Sequence, residues 1–286
     1  MKIIDLLNND KITISFEVFP PKKAENLESV RTATEKIAFL HPSFMSVTYG
    51  AAGTTAGYTI EIAENLKNSD GITVMPHLTC VTLTEKKAVE MTDRLKKAGI
   101  ENIMALRGDL PADGKREHEF EHAVDLIRYL KANTDLCIGG ACYPEGHVES
   151  ANKAEDIGYL REKVDAGCDF LTTQMFFDNN ILYNFLYRIR EAGINVPVLA
   201  GIMPICNKRQ LSRSVALSGT NVPERFRAIV DRFGDHPAAM KQAGIIYASE
   251  QIIDLLANNV KHIHVYTMNK PDIAEGIMHN LSEILK

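Results

Sequence analysis

Along residues 12–21, ITISFEVFPP, the apolar side chains Ile12, Ile14, Phe16 and Val18 fall on one parity of a two-residue repeat. That is the side-chain period of a β-strand. Glu17 falls on the other parity, three residues before Pro20, and the Pro20–Pro21 pair ends the ladder because proline donates no backbone hydrogen bond. The stretch reads as a buried strand with a carboxylate near its exit. Buried, that carboxylate must be paired or carry a proton; at a solvated strand end it needs neither.

The same alternation recurs down the chain. Apolar positions three or four apart, Leu27, Val30, Ala33 and Ile37, predict a helix over 25–39. Phe44, Ser46 and Thr48 alternate with Met45, Val47 and Tyr49 in a second strand ending at Gly50, and a small-residue loop over 51–57 leads to a helix through Ile62, Ala63 and Leu66. A third strand over 72–75 stops near Pro76, and Thr82 with Glu85 reads as a capping box opening a helix over 83–97. Strand four is 103–106, followed by a polar loop with Asp113 and Gly114 and a helix built on Phe120, Ala123, Ile127 and Leu130. Strand five is 136–141, helix 151–166 ends at Gly167, and strand six is 170–173. Asp178 caps a helix with Ile181, Phe185 and Ile189; strand seven is 197–202; residues 207–258 are helical with breaks near 219–223 and 234–237. Strand eight is 263–266, and a last helix follows Pro271.

Eight strand–helix units without a compositional break predict an α/β chain folded as one closed (β/α)₈ TIM barrel. It would be a single domain over 1–286 with extra helical material before the last strand. A doubly wound sheet also alternates. Composition adds limits rather than a function. A 45% hydrophobic content supports a large core, and a formal charge of −5 with no dense basic run argues against a nucleic-acid surface. No apolar stretch approaches a membrane span and the N-terminus lacks a secretory signature, so a soluble, cytoplasmic protein is expected. The five scattered cysteines, without a CxxC pair, fit a reducing compartment.

In such a barrel the C-terminal ends of the strands carry the chemistry. Conspicuous polar residues collect there: Glu17, Thr48, His77, Asp109, Tyr143 with His147, Gln174 and Tyr266. Two carboxylates from different strands, Glu17 and Asp109, can divide acid and base roles when their surroundings differ. Gln174 offers a donor and an acceptor to a heterocycle with mixed polar edges, and Tyr143 can stack on a planar ring. Lys163 can reach a phosphate or pair with Asp156. His77 and Cys80 lack a third nearby ligand, so no metal site is assigned. His262 and His264 read as satisfied structural histidines. No GxGxxG, P-loop or GxSxG motif is present, so any cofactor has to occupy the barrel mouth.

The segments SFEVFPP (15–21), SVTYGA (46–51), PHLTC (76–80), ALRGDLP (105–111), YPEGH (143–147), KVDAGCDF (163–170), TTQMFFD (172–178) and YTMN (266–269) occur in one order over most of the chain. Together they closely resemble the methylenetetrahydrofolate reductase family in its bacterial catalytic-barrel form. The resemblance implies a cytoplasmic flavoprotein of one-carbon metabolism holding FAD at the barrel mouth. Its members reduce 5,10-methylenetetrahydrofolate to 5-methyltetrahydrofolate by ping-pong hydride transfer and supply methyl groups for methionine biosynthesis.

By resemblance, Glu17 is the general acid that protonates N10 of the folate, and Asp109 tunes the flavin and orients folate. Gln174 contacts the pterin, with Tyr266 and Lys270 also on the substrate side. Thr48, His77, Asp109, Tyr143, His147, Asp156 and Lys163 shape the flavin pocket. The implied electron donor is NADH or NADPH, with an electron-transfer protein as the alternative, and the implied assembly is a homo-oligomer. A non-redox lyase or aldolase barrel using Glu17 and Asp109 is the competing reading. The chain departs from the well-studied bacterial form at His122, where a tyrosine stands, at Tyr159, which replaces an asparagine, and at Lys270, which replaces an arginine. Near Ser214 a substrate-contacting phenylalanine has no clear match.

Overall fold

Eight parallel strands close into a barrel in chain order, each paired with the next and the last with the first. They are β1 (Thr13–Val18), β2 (Phe44–Val47), β3 (Val74–Thr79), β4 (Asn102–Leu106), β5 (Cys137–Cys142), β6 (Phe170–Thr173), β7 (Val198–Ile202) and β8 (His262–Tyr266). The computed structural model describes residues 1–21, 23–49, 56–81, 83–109 and 119–286. Around the barrel run α2 (Leu27–Ala38), α3 (Ala56–Ser69), α4 (Glu85–Lys97), α5 (Ala123–Asn133), α6 (Lys153–Asp165) and α7 (Asn179–Glu191). The expected helical insertion before β8 resolves into α8 (Lys208–Ser218), α9 (Glu224–Phe233) and α10 (Pro237–Ala257), and α11 (Pro271–Asn280) follows β8.

The alternation read in the sequence decides which side chains enter the barrel. In β1 the apolar parity, Ile14, Phe16 and Val18, faces out into the large core shared with the helices. The other parity, Ser15 and Glu17, faces in. Register carries this around the wall: Ser15 pairs with Phe44, Ser46 with Met75, His77 with Met104, Met104 with Gly139 and Gly139 with Phe170. The lower layer of the interior is therefore apolar and the upper layer polar.

That lower layer is closed by α1 (Ile3–Leu7), an element the periodicity did not predict. Its Ile3 and Leu7 are buried against Phe44, Met75, Met104, Phe170 and Leu199. The Ile3 N–H donates to Asn102 Oδ1 at 2.7 Å, and Asn102 Nδ2 donates to the Met1 carbonyl at 3.0 Å. A five-residue helix without a side-chain cap leaves little trace in a sequence, and tertiary contacts hold it.

Several element ends shift from the expected ones, and two of the shifts have a clear physical cause. β3 runs through Pro76 instead of stopping there. Pro76 is the last residue paired with β2, and pairing with β4 begins at His77, so the missing donor falls at the handover between neighbours. Helix α4 is capped by Thr84, whose side chain accepts from the Lys87 N–H, so the capping residue is two positions later than the Thr82 box implied. Asp178 caps α7 as expected, accepting from the Asn180 N–H. The expected strand end at Gly50, residues 51–55 of the expected 51–57 loop, Thr82 itself, and Asp113 and Gly114 lie outside the described residues, while residues 56 and 57 open α3 instead. Among the described residues no helix is long and apolar enough to cross a membrane.

Candidate active site

The polar upper layer opens into a cavity of about 380 Å³ at the C-terminal ends of the strands. Its walls include Glu17 from β1, Thr48 beyond β2, His77 from β3, Asp109 beyond β4, Tyr143 beyond β5, Gln174 beyond β6 and Tyr266 from β8. All seven were singled out in the sequence, and the barrel brings them to one place. A second cavity, of about 600 Å³, lies between the β4 and β5 exits and α6, lined by Arg107, His147, Asp156, Tyr159 and Lys163 among others. Leu106, Gly108, Asp109, Ala141 and Tyr143 belong to both walls, so the two cavities adjoin. Lys270 lines neither cavity: it is exposed, at the N-terminus of α11.

Glu17 is mostly buried and faces two imidazoles. Its Oε2 lies 3.7 Å from His77 Nε2 and 3.8 Å from His264 Nε2. His264 is held from both sides: Nδ1 is 2.7 Å from Ser15 Oγ and Nε2 is 3.2 Å from Ser46 Oγ. Ser15 Oγ already donates to the Ile263 carbonyl at 3.0 Å. The Ser15 oxygen therefore accepts from His264 Nδ1–H, and the ring turns its Nε2 toward Ser46 and Glu17. His264 is thus a satisfied histidine, as expected, and so is His262, whose Nδ1 is 3.0 Å from Thr13 Oγ1. His77 differs. Burial holds its imidazole down at about 4, against the pull of Glu17, and its Nε2 has no hydrogen-bond partner.

The backbone around Glu17 is fixed by the turn that follows β8. Thr267 Oγ1 donates to the Glu17 carbonyl at 2.7 Å. Asn269 accepts from the Phe19 N–H and donates to the Phe19 carbonyl, both at 2.8 Å. Met268 and Asn269 take left-handed conformations, with φ of 56° and 53°, to make this return. The positioning role of Thr267 and Asn269 was not read from the sequence, although YTMN directly follows a strand and carried the signal.

Asp109 is exposed at the junction of the cavities, presented by Gly108. Gly108 has φ of +83°, and a Cβ there would sit 2.8 Å from Thr79 Cβ, so only glycine fits this turn. Tyr143 packs edge-to-face on His147 at 4.6 Å, and burial pushes its phenol up to about 12, keeping it neutral and a donor. His147 Nδ1 accepts from the Glu149 N–H at 3.2 Å, which puts the ring proton on Nε2. Gln174 Oε1 accepts from the Met175 N–H at 2.9 Å, and its amide nitrogen makes no hydrogen bond within the described residues. The Tyr266 hydroxyl donates to the Thr173 carbonyl at 2.5 Å, in space kept open by Gly201, whose Cβ would fall 2.6 Å from that hydroxyl.

Lys163 does not form the ion pair with Asp156 that was one of its two expected fates. Its Nζ donates to the Ala141 carbonyl at 3.1 Å, and Asp156 accepts from Ser150 Oγ at 3.2 Å. Burial pulls the Lys163 ammonium below the usual lysine range. Arg107, absent from the predicted site residues, lines the same cavity and holds Glu149 through two bonds of 2.5 and 3.0 Å.

A sequence model described as methylenetetrahydrofolate reductase matches residues 2–282. The chain belongs to the methylenetetrahydrofolate reductase family. It is 34% identical to the Escherichia coli K12 protein named 5,10-methylenetetrahydrofolate reductase, over 95% of this chain and 91% of that one. It is also 34% identical to the Zea mays protein named methylenetetrahydrofolate reductase (NADH) 1, over 99% of this chain but 50% of that one. The chain thus spans about half the length of its plant relatives. Among solved structures, a Clostridium thermocellum protein described as binding two copies of 5-methyl-5,6,7,8-tetrahydrofolic acid superposes with a TM-score of 0.66 at 13% identity. That match covers 100% of this chain and 99% of that one, and it is a likeness of fold.

Within the family frame, the departures at His122 and Tyr159 both fall on the second cavity. They change the outer wall of that cavity and leave the Glu17 end untouched. Among the described residues no three His, Cys, Asp or Glu side chains gather as a metal site.

Proposed function

We propose that this chain reduces 5,10-methylenetetrahydrofolate to 5-methyltetrahydrofolate with a bound flavin, FAD, that is reduced in turn by NADH or NADPH. The observation that carries the reading is the convergence of Glu17, Asp109 and Gln174 on one cavity that adjoins a second, lined by Lys163 and Arg107 among several carboxylates.

The residues present suit a flavin. The second cavity offers Lys163, free of any ion pair among the described residues, as a partner for a diphosphate, with the Arg107 guanidinium on the same wall paired to Glu149. Tyr143 and Asp109 stand where the cavities meet, with Thr48 and His77 also on the wall of the mouth, to receive a planar ring. The flavin, when bound, supplies hydride acceptance from the nicotinamide and hydride delivery to the folate.

The chain's own residues do the rest. Glu17 holds a proton toward the folate N10, whose protonation opens the five-membered ring and exposes an electrophilic carbon. Two imidazoles face Glu17 Oε2, at 3.7 and 3.8 Å, and line the approach to that carboxyl. Gln174 presents its free amide donors to the polar edge of the pterin. Asp109, anchored by its glycine turn, sets the charge between ring and substrate. Nicotinamide and folate use the same open mouth in turn, which gives ping-pong kinetics.

One anaerobic experiment tests the whole reading. Flavin bleaching by NADH or NADPH, followed by reoxidation with methylenetetrahydrofolate, is the expected result. Purified protein that lacks flavin absorbance and takes up no FAD on reconstitution refutes it and favours a non-redox barrel. Bleaching by a reduced electron-transfer protein, and by neither nicotinamide, overturns only the choice of donor.

A further inference from the structure

Among the described residues two buried side-chain polar atoms have no hydrogen-bond partner, His77 Nε2 and Thr172 Oγ1, and both residues line the mouth cavity. His77 already has Glu17 nearby. Thr172 has no ion pair or hydrogen bond from its hydroxyl among the described residues, and although it opens the TTQMFFD segment it was not among the candidate site residues.

Thr172 lies on the inward parity of β6, between Phe170 in the apolar floor and Gln174 at the rim. It is 4% exposed. Its register partners are Ala141 on β5 and Leu199 on β7, neither of which offers a side-chain hydrogen bond. The adjacent Thr173 shows what a purely structural threonine does in this barrel: its Oγ1 accepts from the Gly201 N–H at 2.8 Å. A strand threonine with no partner could be valine without a change of shape, and burying the hydroxyl unpaired is unfavourable. Its place in the cavity supplies the reason to keep it.

We propose that Thr172 is a ligand-binding residue whose hydroxyl hydrogen-bonds a ring nitrogen or carbonyl on the edge of the planar heterocycle seated deepest in the mouth. This rests on the function proposed above, which supplies two heterocycles of that chemistry, an isoalloxazine and a pterin. Thr172 and Gln174 share a face two residues apart, about 6–7 Å along the strand. They form a pair of hydrogen-bonding groups on one wall, matched to a fused ring with polar atoms along one edge.

The test uses the full chain with three substitutions. T172V and T172A remove the hydroxyl, and T172S keeps it while removing the methyl. Affinity for FAD is measured by fluorescence titration of the apoprotein, and affinity for 5-methyltetrahydrofolate by perturbation of the bound-flavin spectrum. T172V and T172A are expected to lose about tenfold affinity for one of the two rings, with T172S within about twofold of the parent. A loss confined to FAD assigns the contact to the flavin, and a loss confined to the folate assigns it to the pterin. The melting temperature of ligand-free T172V should equal or exceed that of the parent, because an unpaired hydroxyl has been removed. Parental affinity of T172V and T172A for both rings overturns the proposal, as does T172S falling as far as T172V. If the unsubstituted chain binds neither ring, the proposed function fails instead, and the two failures are distinct.

Discussion

The two ends of the barrel interior are built from the same strands and the same side-chain parity, yet they do opposite work. At the floor, Phe44, Met75, Met104, Phe170 and Leu199 meet Ile3 and Leu7 in an apolar cluster. Two residues further along the same strands, Phe44 gives way to Ser46, Met75 to His77 and Phe170 to Thr172, and the interior becomes polar. The step is one pleat, roughly 7 Å. Over that distance the barrel passes from a layer that adds stability to one that carries an imidazole pinned neutral and a hydroxyl with no partner. The apolar floor offsets the strain of the mouth, so the two ends should separate cleanly under mutation.

The largest effect belongs to the mouth. E17Q should cut folate turnover by about 10²–10⁴-fold, the range for loss of a general acid. Flavin binding, flavin reduction by the donor and the melting temperature should hold near parental values. Stopped-flow measurement of both half-reactions checks this, and an equal fall in the two would erase the distinction between acid and scaffold. The reverse case is Ile3→Ala at the floor, which should destabilise the fold by about 2–5 kcal/mol in urea titration. Its turnover at low temperature should stay close to that of the parent, and a large loss there would mean that floor and mouth are coupled.

The pH dependence of stability sharpens the same contrast from within the mouth. Burial holds His77 at about 4 in the folded chain, against 6.5 for a free imidazole, so the unfolded chain binds a proton that the folded one refuses. Stability is therefore complete above about pH 6.5 and falls as the pH drops toward 4, by at most about 1.4 kcal/mol per pH unit from this residue. Denaturant titrations across that window should show a shallower slope in H77Q, and identical slopes would mean that His77 does not set the acid limb. The smallest effect is expected in the outer cavity. K163M should weaken FAD retention about tenfold with no change in the folate half-reaction of the loaded enzyme, and unaltered FAD affinity would leave Lys163 a structural amine.

Much of the fold was legible because the barrel repeats one rule. Once Glu17 stood on the parity opposite Phe16 and Val18, the inward direction of β1 followed, and seven residues chosen at strand exits share one cavity. What escaped was whatever depends on a partner far along the chain. Helix α1 has neither cap nor repeat and exists because a floor of large side chains needs a lid. Pro76 seemed to end a strand because its missing donor was weighed without knowing which neighbour that donor faced. Lys163 had an acidic residue close by on its own helix, yet it bonds the Ala141 carbonyl across to β5, a contact no spacing announces. Lys270 directly follows the YTMN motif at the end of β8, but the turn through Met268 and Asn269 leaves it outside both cavities. The open valence of Thr172 is the extreme case, since a missing partner has no sequence signature at all.

The clasp between Asn269 and Phe19 joins residues 250 positions apart. During synthesis β1, which carries Glu17, leaves the ribosome before the other strands of the barrel, but the groups that pin its exit emerge only after the eighth. A nascent chain released before residue 269 has every other strand exit of the mouth but lacks the clasp that fixes the exit of β1, so the mouth takes its final shape only once the whole barrel has been translated.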